Sequence, residues 1–227
     1  MKYQHILFDA DGTLFDFKRA EHDALSDTLA RFDLPDSDEI HNTYSKANAA
    51  QWALLEQKLV TRDALRINRF QHFLDAIGFD RNASKMAQFY EAALSTKGFL
   101  IDSAEEICHL LAERADLYIV TNGFRHIQSG RLGGSPLLPL LKHVFISEDI
   151  GVEKPDPKFF DYVAAHIPGF KKEAAIVIGD SLSSDVLGGI QSGIDTCWFN
   201  PEGKSAPAEM NITYTVSSLS QLQDIIV

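Results

Sequence analysis

The chain has 227 residues, 45% of them hydrophobic, and a formal charge of -11. That is enough apolar mass for a sizeable core, and too acidic a surface for long-range attraction to polymeric nucleic acid or an anionic membrane. No apolar stretch approaches the roughly 18 residues of a transmembrane helix. Asp9 and Asp11 interrupt the N-terminal apolar run, which excludes a signal-peptide core and makes the cytoplasm the expected compartment. Cys108 and Cys197 form no C-x-x-C pair and read as buried free thiols, and the eight histidines show no metal-ligand spacing.

Residues 3–9 predict the first strand, a continuous apolar run suited to a sheet covered on both faces. It ends in Asp9-Ala10-Asp11-Gly12-Thr13, where Gly12 allows a sharp turn. From Phe17 to about Thr96 the periodicity becomes helical, as in an insertion. One helix runs from Phe17 towards the break at Pro35, and a second covers residues 37–57. A third runs from a Thr61 cap to Gly78, and Asn82 opens a fourth. After Gly98 helix and strand alternate. Ser103-Ala104-Glu105-Glu106 has capping-box spacing, Leu117–Val120 predicts a strand ending in Thr121-Asn122-Gly123, and a helix follows over residues 124–132. A strand at His143–Ser147, a helix begun near Pro157, a strand at Ala174–Ile178 and a helix begun by Ser183-Ser184-Asp185 and stopped at Gly193 come next. Strands near Thr196–Phe199 and Thr213–Val216 and a helix over 218–226 complete the pattern. Repeated alternation implies right-handed crossovers and a parallel sheet.

In such a sheet the carboxyl ends of the strands share one edge. Asp9 with Asp11, Thr121 with Asn122, and Asp180 with Asp185 just beyond all follow apolar runs, and Lys154 sits in a loop of the same region. Each has an ordinary reading alone: Asp11-Gly12 and Thr121-Asn122-Gly123 as turns, Lys154 as a solvated lysine, Asp185 as a helix-start acid. Together they fit metal-assisted phosphoryl transfer. Several carboxylates share a crevice only with a cation, and an all-oxygen donor set favours Mg²⁺ over zinc. A carboxylate nucleophile, a second carboxylate as acid and base, and a lysine and hydroxyl on the phosphoryl oxygens complete the expected chemistry.

These four segments resemble the motifs of the haloacid dehalogenase-like hydrolases: Asp9 to Thr13 the first, Thr121-Asn122-Gly123 the second, Lys154-Pro155 the third, Gly179-Asp180 through Asp185 the fourth. The resemblance implies an α/β fold with a doubly wound, Rossmann-like parallel core of residues 1–16 and 97–227, and an inserted helical cap of residues 17–96. It implies Asp9 as nucleophile, Asp11 as acid/base, and Mg²⁺ as cofactor. The expected site is therefore Asp9, Asp11, Thr121 and Lys154 for catalysis, Thr121, Asn122, Gly123 and Lys154 for substrate, and Asp9, Asp11, Asp180 and Asp185 for the metal. Asp11 favours phosphate esters over halides, because a halide needs no leaving-group proton. The runs Asp9 to Phe15, Thr121 to Phe124 and Ile146 to Pro157 look like the bacterial pyrimidine 5'-nucleotidase branch, which implies a nucleoside monophosphate substrate, noncanonical pyrimidine nucleotides included. Gly133-Gly134-Ser135-Pro136 departs from the usual run there. The rival readings are a sugar-phosphate phosphatase or phosphomutase, and a non-catalytic binding module that has kept the fold. Substrate choice is expected in the cap, where Phe17 and Trp52 are candidates to stack on a base, although core packing also accounts for both.

Overall fold

A computed structural model describes residues 2–226. It divides into two compact units, Met1–Phe17 with Gly98–Val227, and Lys18–Lys97. The expected boundaries lay one residue earlier at each junction. No helix among the described residues is long and apolar enough to cross a membrane.

The second unit consists of α1 (Phe17–Arg31, entered from the first unit), α2 (Asp38–Glu56), α3 (Arg62–Ile77) and α4 (Ala83–Leu94). Short polar side chains start three of them: Ser37, Thr61 and Asn82 accept from the amides of Ile40, Ala64 and Lys85. Gly78 ends α3 at φ 72°, in the left-handed region. Tyr44, Phe70, Phe73 and Tyr90 stack within the interior, with ring centroids 5.0–6.4 Å apart.

The first unit is built on a six-stranded sheet of β1 (His5–Phe8), β2 (Asp116–Thr121), β3 (Leu141–Ile146), β4 (Ala175–Gly179), β5 (Asp195–Phe199) and β6 (Tyr214–Val216), in the order β3-β2-β1-β4-β5-β6. All five pairings are parallel. The flanking helices are α5 (Ala104–Ala112), α6 (Arg125–Gly133), α7 (Ser147–Ile150), α8 (Pro157–His166), α9 (Leu187–Ser192) and α10 (Leu222–Ile226). Alternation of side chains explains the continuous apolar β1. Ile6 and Phe8 join the core beneath α5 and α10, whereas Leu7 joins Val177, Phe159, Phe160 and Val163 of the α8 side. This α/β, Rossmann-like architecture has its topological switch between β1 and β4, where ligand crevices form in open parallel sheets.

Two helix starts differ from expectation. Ser103 makes no capping bond because it stands at φ 66°, in a turn where the Ala104 amide donates to Ile101, and a capping serine needs extended backbone. Glu105 and Glu106 still complement the helix dipole. The segment expected to begin at Ser183 begins instead as a π-type turn, Leu182–Val186, capped by Ser181, whose hydroxyl accepts from the Ser184 amide. That wide turn carries Asp185 to the protein interior. The strand expected to reach Ser147 stops at Ile146, and Ser147 opens α7.

Candidate active site

Asp9 follows directly on β1, and its amide extends the ladder by donating to Ile178 O at 2.8 Å. The chain then reverses: the amides of Leu14 and Phe15 both donate to Ala10 O. Gly12 makes the turn possible at φ 85°, and a Cβ there would stand 2.5 Å from Asp180 Oδ2. The absence of a side chain at Gly12 thus lets Asp180 approach the loop after β1.

Lys154 joins three of the strand ends. Its Nζ donates to Asp9 Oδ1 at 2.7 Å, Asp185 Oδ1 at 2.5 Å and Val120 O at 2.7 Å, one acceptor for each N–H. The side chain is 1% exposed, so these bonds replace its hydration. Burial alone would lower the ammonium's pKa, but the charges of Asp185 and Asp9 hold it above the ordinary lysine value. Asn122 fixes this loop. Its carboxamide donates to Lys154 O and accepts from Lys154 N, both at 2.9 Å.

Asp9, Asp180 and Asp185 each offer an oxygen within 4.8 Å of the others. Burial raises the Asp9 carboxyl well above its ordinary pKa, and the Asp185 charge adds to this against the opposing pull of Lys154. Asp180 keeps contact with solvent, yet the protein around it and the Asp185 charge raise its carboxyl to about 7. One ammonium therefore leaves this group with excess negative charge. Its oxygen donors suit a hard divalent cation such as Mg²⁺, which would relieve the mutual repulsion and favour an ionised Asp9.

Asp11, grouped with the metal ligands in the sequence reading, lies outside this set of three. Its carboxylate is captured from α6: Gln128 Nε2 donates to Oδ2 at 2.6 Å, and the Arg131 guanidinium is ion-paired with Oδ1. Thr121 Oγ1 accepts from the Gly123 amide at 3.0 Å and lies 3.4 Å from Gln128 Nε2, so its own O–H remains a donor. Two expected substrate contacts are thereby committed to the protein itself, the Asn122 carboxamide to Lys154 and the Gly123 amide to Thr121. A Cβ at position 123 would stand 2.2 Å from Gln128 Nε2, so a larger residue there would displace that side chain.

Gln128 and Arg131 escaped the sequence reading because Arg125-His126-Ile127-Gln128-Ser129-Gly130-Arg131 resembles a solvated helix face. The signal was their phase. With Phe124, Ile127 and Leu132 they form the buried side of α6, where a polar residue needs a partner.

A family model described as a haloacid dehalogenase-like hydrolase matches residues 3–193. Pyrimidine 5'-nucleotidase PynA of Streptococcus pneumoniae is 38% identical over 225 residues, covering 99% of this chain and 95% of that protein. Pyrimidine 5'-nucleotidase YjjG of Escherichia coli is 29% identical over 226 residues, covering 100% and 99%. The crystal structure of the HAD-hydrolase YfnB of Bacillus subtilis bound to magnesium superposes with a TM-score of 0.95 at 37% identity, covering 100% of this chain and 99% of that one.

Proposed function

The chain belongs to the haloacid dehalogenase-like hydrolases, and on that premise we propose that it is a Mg²⁺-dependent phosphomonoesterase that forms an aspartyl phosphate on Asp9. Its proposed substrates are pyrimidine nucleoside 5'-monophosphates, the class named for two of the relatives. The observation that carries the reading is the hydrogen-bonded group Asp9, Lys154 and Asp185, with Asp180 beside it, at the ends of the central strands.

Asp9 attacks phosphorus, and the bond from phosphorus to the ester oxygen breaks. Asp11 gives its proton to the departing oxygen. Asp11 then takes a proton from water, whose oxygen attacks phosphorus and releases inorganic phosphate and the free Asp9 carboxylate. Lys154 offsets charge on the phosphoryl oxygens and holds Asp9 in one orientation through Oδ1. The Thr121 hydroxyl donates to a phosphoryl oxygen. Asp9 and Asp180 would hold the metal, with Asp185 beside them anchoring Lys154. Mg²⁺, when bound, supplies positive charge to the transferring phosphoryl group.

The test is Mg²⁺-dependent phosphate release from UMP, dUMP, TMP, purine monophosphates and sugar phosphates, beside the Asp9→Asn variant. Preferential release from the pyrimidine nucleotides, lost in the variant, is the expected result. Preference for sugar phosphates would discard the substrate assignment and keep the mechanism. No release from any of them would overturn the phosphomonoesterase reading.

A further inference from the structure

The Asp11 carboxylate is held at both oxygens by one helix. Gln128 and Arg131 stand three residues apart on α6, on the same side. Gln128 takes Oδ2 and Arg131 takes Oδ1. Both clamping side chains are buried, while the Asp11 side chain keeps 25% of its surface exposed. The guanidinium is itself held in place: its carbon lies 5.0 Å from the Phe15 ring centroid and 6.0 Å from that of Phe17, in the segment that follows Asp11.

The interior of α6 does not require a glutamine for packing. Gln128 Oε1 is buried with no hydrogen-bond partner among the described residues, an unfavourable state that an apolar side chain of similar size would avoid. What glutamine supplies is the Nε2 donor shared between Asp11 Oδ2 at 2.6 Å and Thr121 Oγ1 at 3.4 Å. That donor ties the proposed acid to the proposed phosphate-binding hydroxyl.

Resting on the phosphomonoesterase reading above, we propose that Gln128 and Arg131 are positioning residues that hold the Asp11 carboxyl where it delivers a proton to the leaving oxygen. Asp11 lies within the turn closed onto Ala10 O, and these two contacts fix where its carboxyl points. The clamp matters in proportion to the leaving group's need for a proton. The 5'-oxygen of a nucleotide is an alkoxide when it departs and needs one, whereas p-nitrophenolate leaves without it.

The experiment compares kcat/KM for UMP and p-nitrophenyl phosphate in the wild type and in Asp11→Ala, Gln128→Leu and Arg131→Lys, each checked for folding by thermal melting. The constant kcat/KM reports steps up to departure of the leaving group. Gln128→Leu is expected to lower it for UMP by roughly 10- to 100-fold, and for p-nitrophenyl phosphate by less than about 3-fold. Arg131→Lys keeps the cation but not the planar guanidinium that places an N–H on Oδ1, so it should follow the same pattern more mildly. Gln128→Leu is the decisive variant if the buried Arg131 tolerates no change. Equal losses on both esters in Gln128→Leu would overturn the clamp and leave a structural role only. Equal losses in Asp11→Ala would overturn the acid role itself, and the inference with it. Selectivity in Asp11→Ala without selectivity in Gln128→Leu would leave the mechanism standing and remove the clamp alone.

Discussion

Both units bury charge, but they balance it differently. Inside the helical unit, Arg69 Nη2 meets Glu91 Oε1 at 2.8 Å, Arg66 lies 3.5 Å from the same carboxylate, and Asn48 links Arg69 to Glu21, which also accepts from Ser45. Cations and carboxylates interleave there, Arg66 also reaching Asp63 at 3.6 Å. In the α/β unit Asp9, Asp180 and Asp185 crowd around Lys154, and burial and like charge raise the carboxyls of Asp9 and Asp180. A balanced network is explained by structure alone. An excess of one sign disfavours folding unless a proton or a cation is bound, which makes the second group the candidate ligand site.

The largest effect is expected at Lys154. Lys154→Met leaves Asp9 facing Asp185 with no cation between them, and should lower kcat/KM for phosphate release by roughly a thousandfold or more. Activity within tenfold of wild type would remove Lys154 from the mechanism. The counterpart in the other unit is Arg69→Met, which takes the nearer cation from the buried Glu91 and leaves it Arg66 at 3.5 Å, and should cost about 3 kcal/mol of stability by urea unfolding. Mg²⁺ is expected to raise Tm, and that gain should survive the change, because the carboxylates proposed to hold it lie in the α/β unit.

A pH series sharpens the same contrast. The Asp180 carboxyl, at about 7 in the folded chain, binds its proton more tightly than an unfolded carboxyl does. Its contribution to stability is complete below the unfolded pKa of about 3.9 and is lost as pH rises through 7. Mg²⁺ should therefore raise Tm more at pH 8 than at pH 5, by scanning calorimetry with and without chelator. Equal gains at both values would show that the raised carboxyls do not meet the metal. The smallest effect concerns Trp52 on α2: Trp52→Ala should raise KM for UMP a few-fold, and for p-nitrophenyl phosphate less. Equal shifts would assign Trp52 to packing.

Sequence patterns revealed the strands, the helix-ending Gly78 and the caps Thr61 and Asn82, because each depends on local backbone preference. Asp9, Thr121, Lys154 and Asp180 were legible because each follows or accompanies an apolar run that a parallel sheet brings to one edge. Their partners were less so. The bonds from Asn122 to Lys154, and from Gln128 and Arg131 to Asp11, join segments far apart in the chain, and nothing in local composition chooses between a buried donor and a solvated one. Ser103 shows the converse, a correct local motif overridden by the turn that delivers the chain to α5.

The position of β1 also governs when the site can exist. His5 pairs with Asp116 on one side and Ala175 on the other, so the strand leading to Asp9 acquires its second neighbour only after most of the chain is available. Long-range parallel pairing of this kind makes folding slow compared with that of a local helical bundle. The helical unit, encoded as one uninterrupted segment, has no such dependence. During synthesis Asp9 is thus made early and stays apart from Asp180 and Asp185 until β4 arrives.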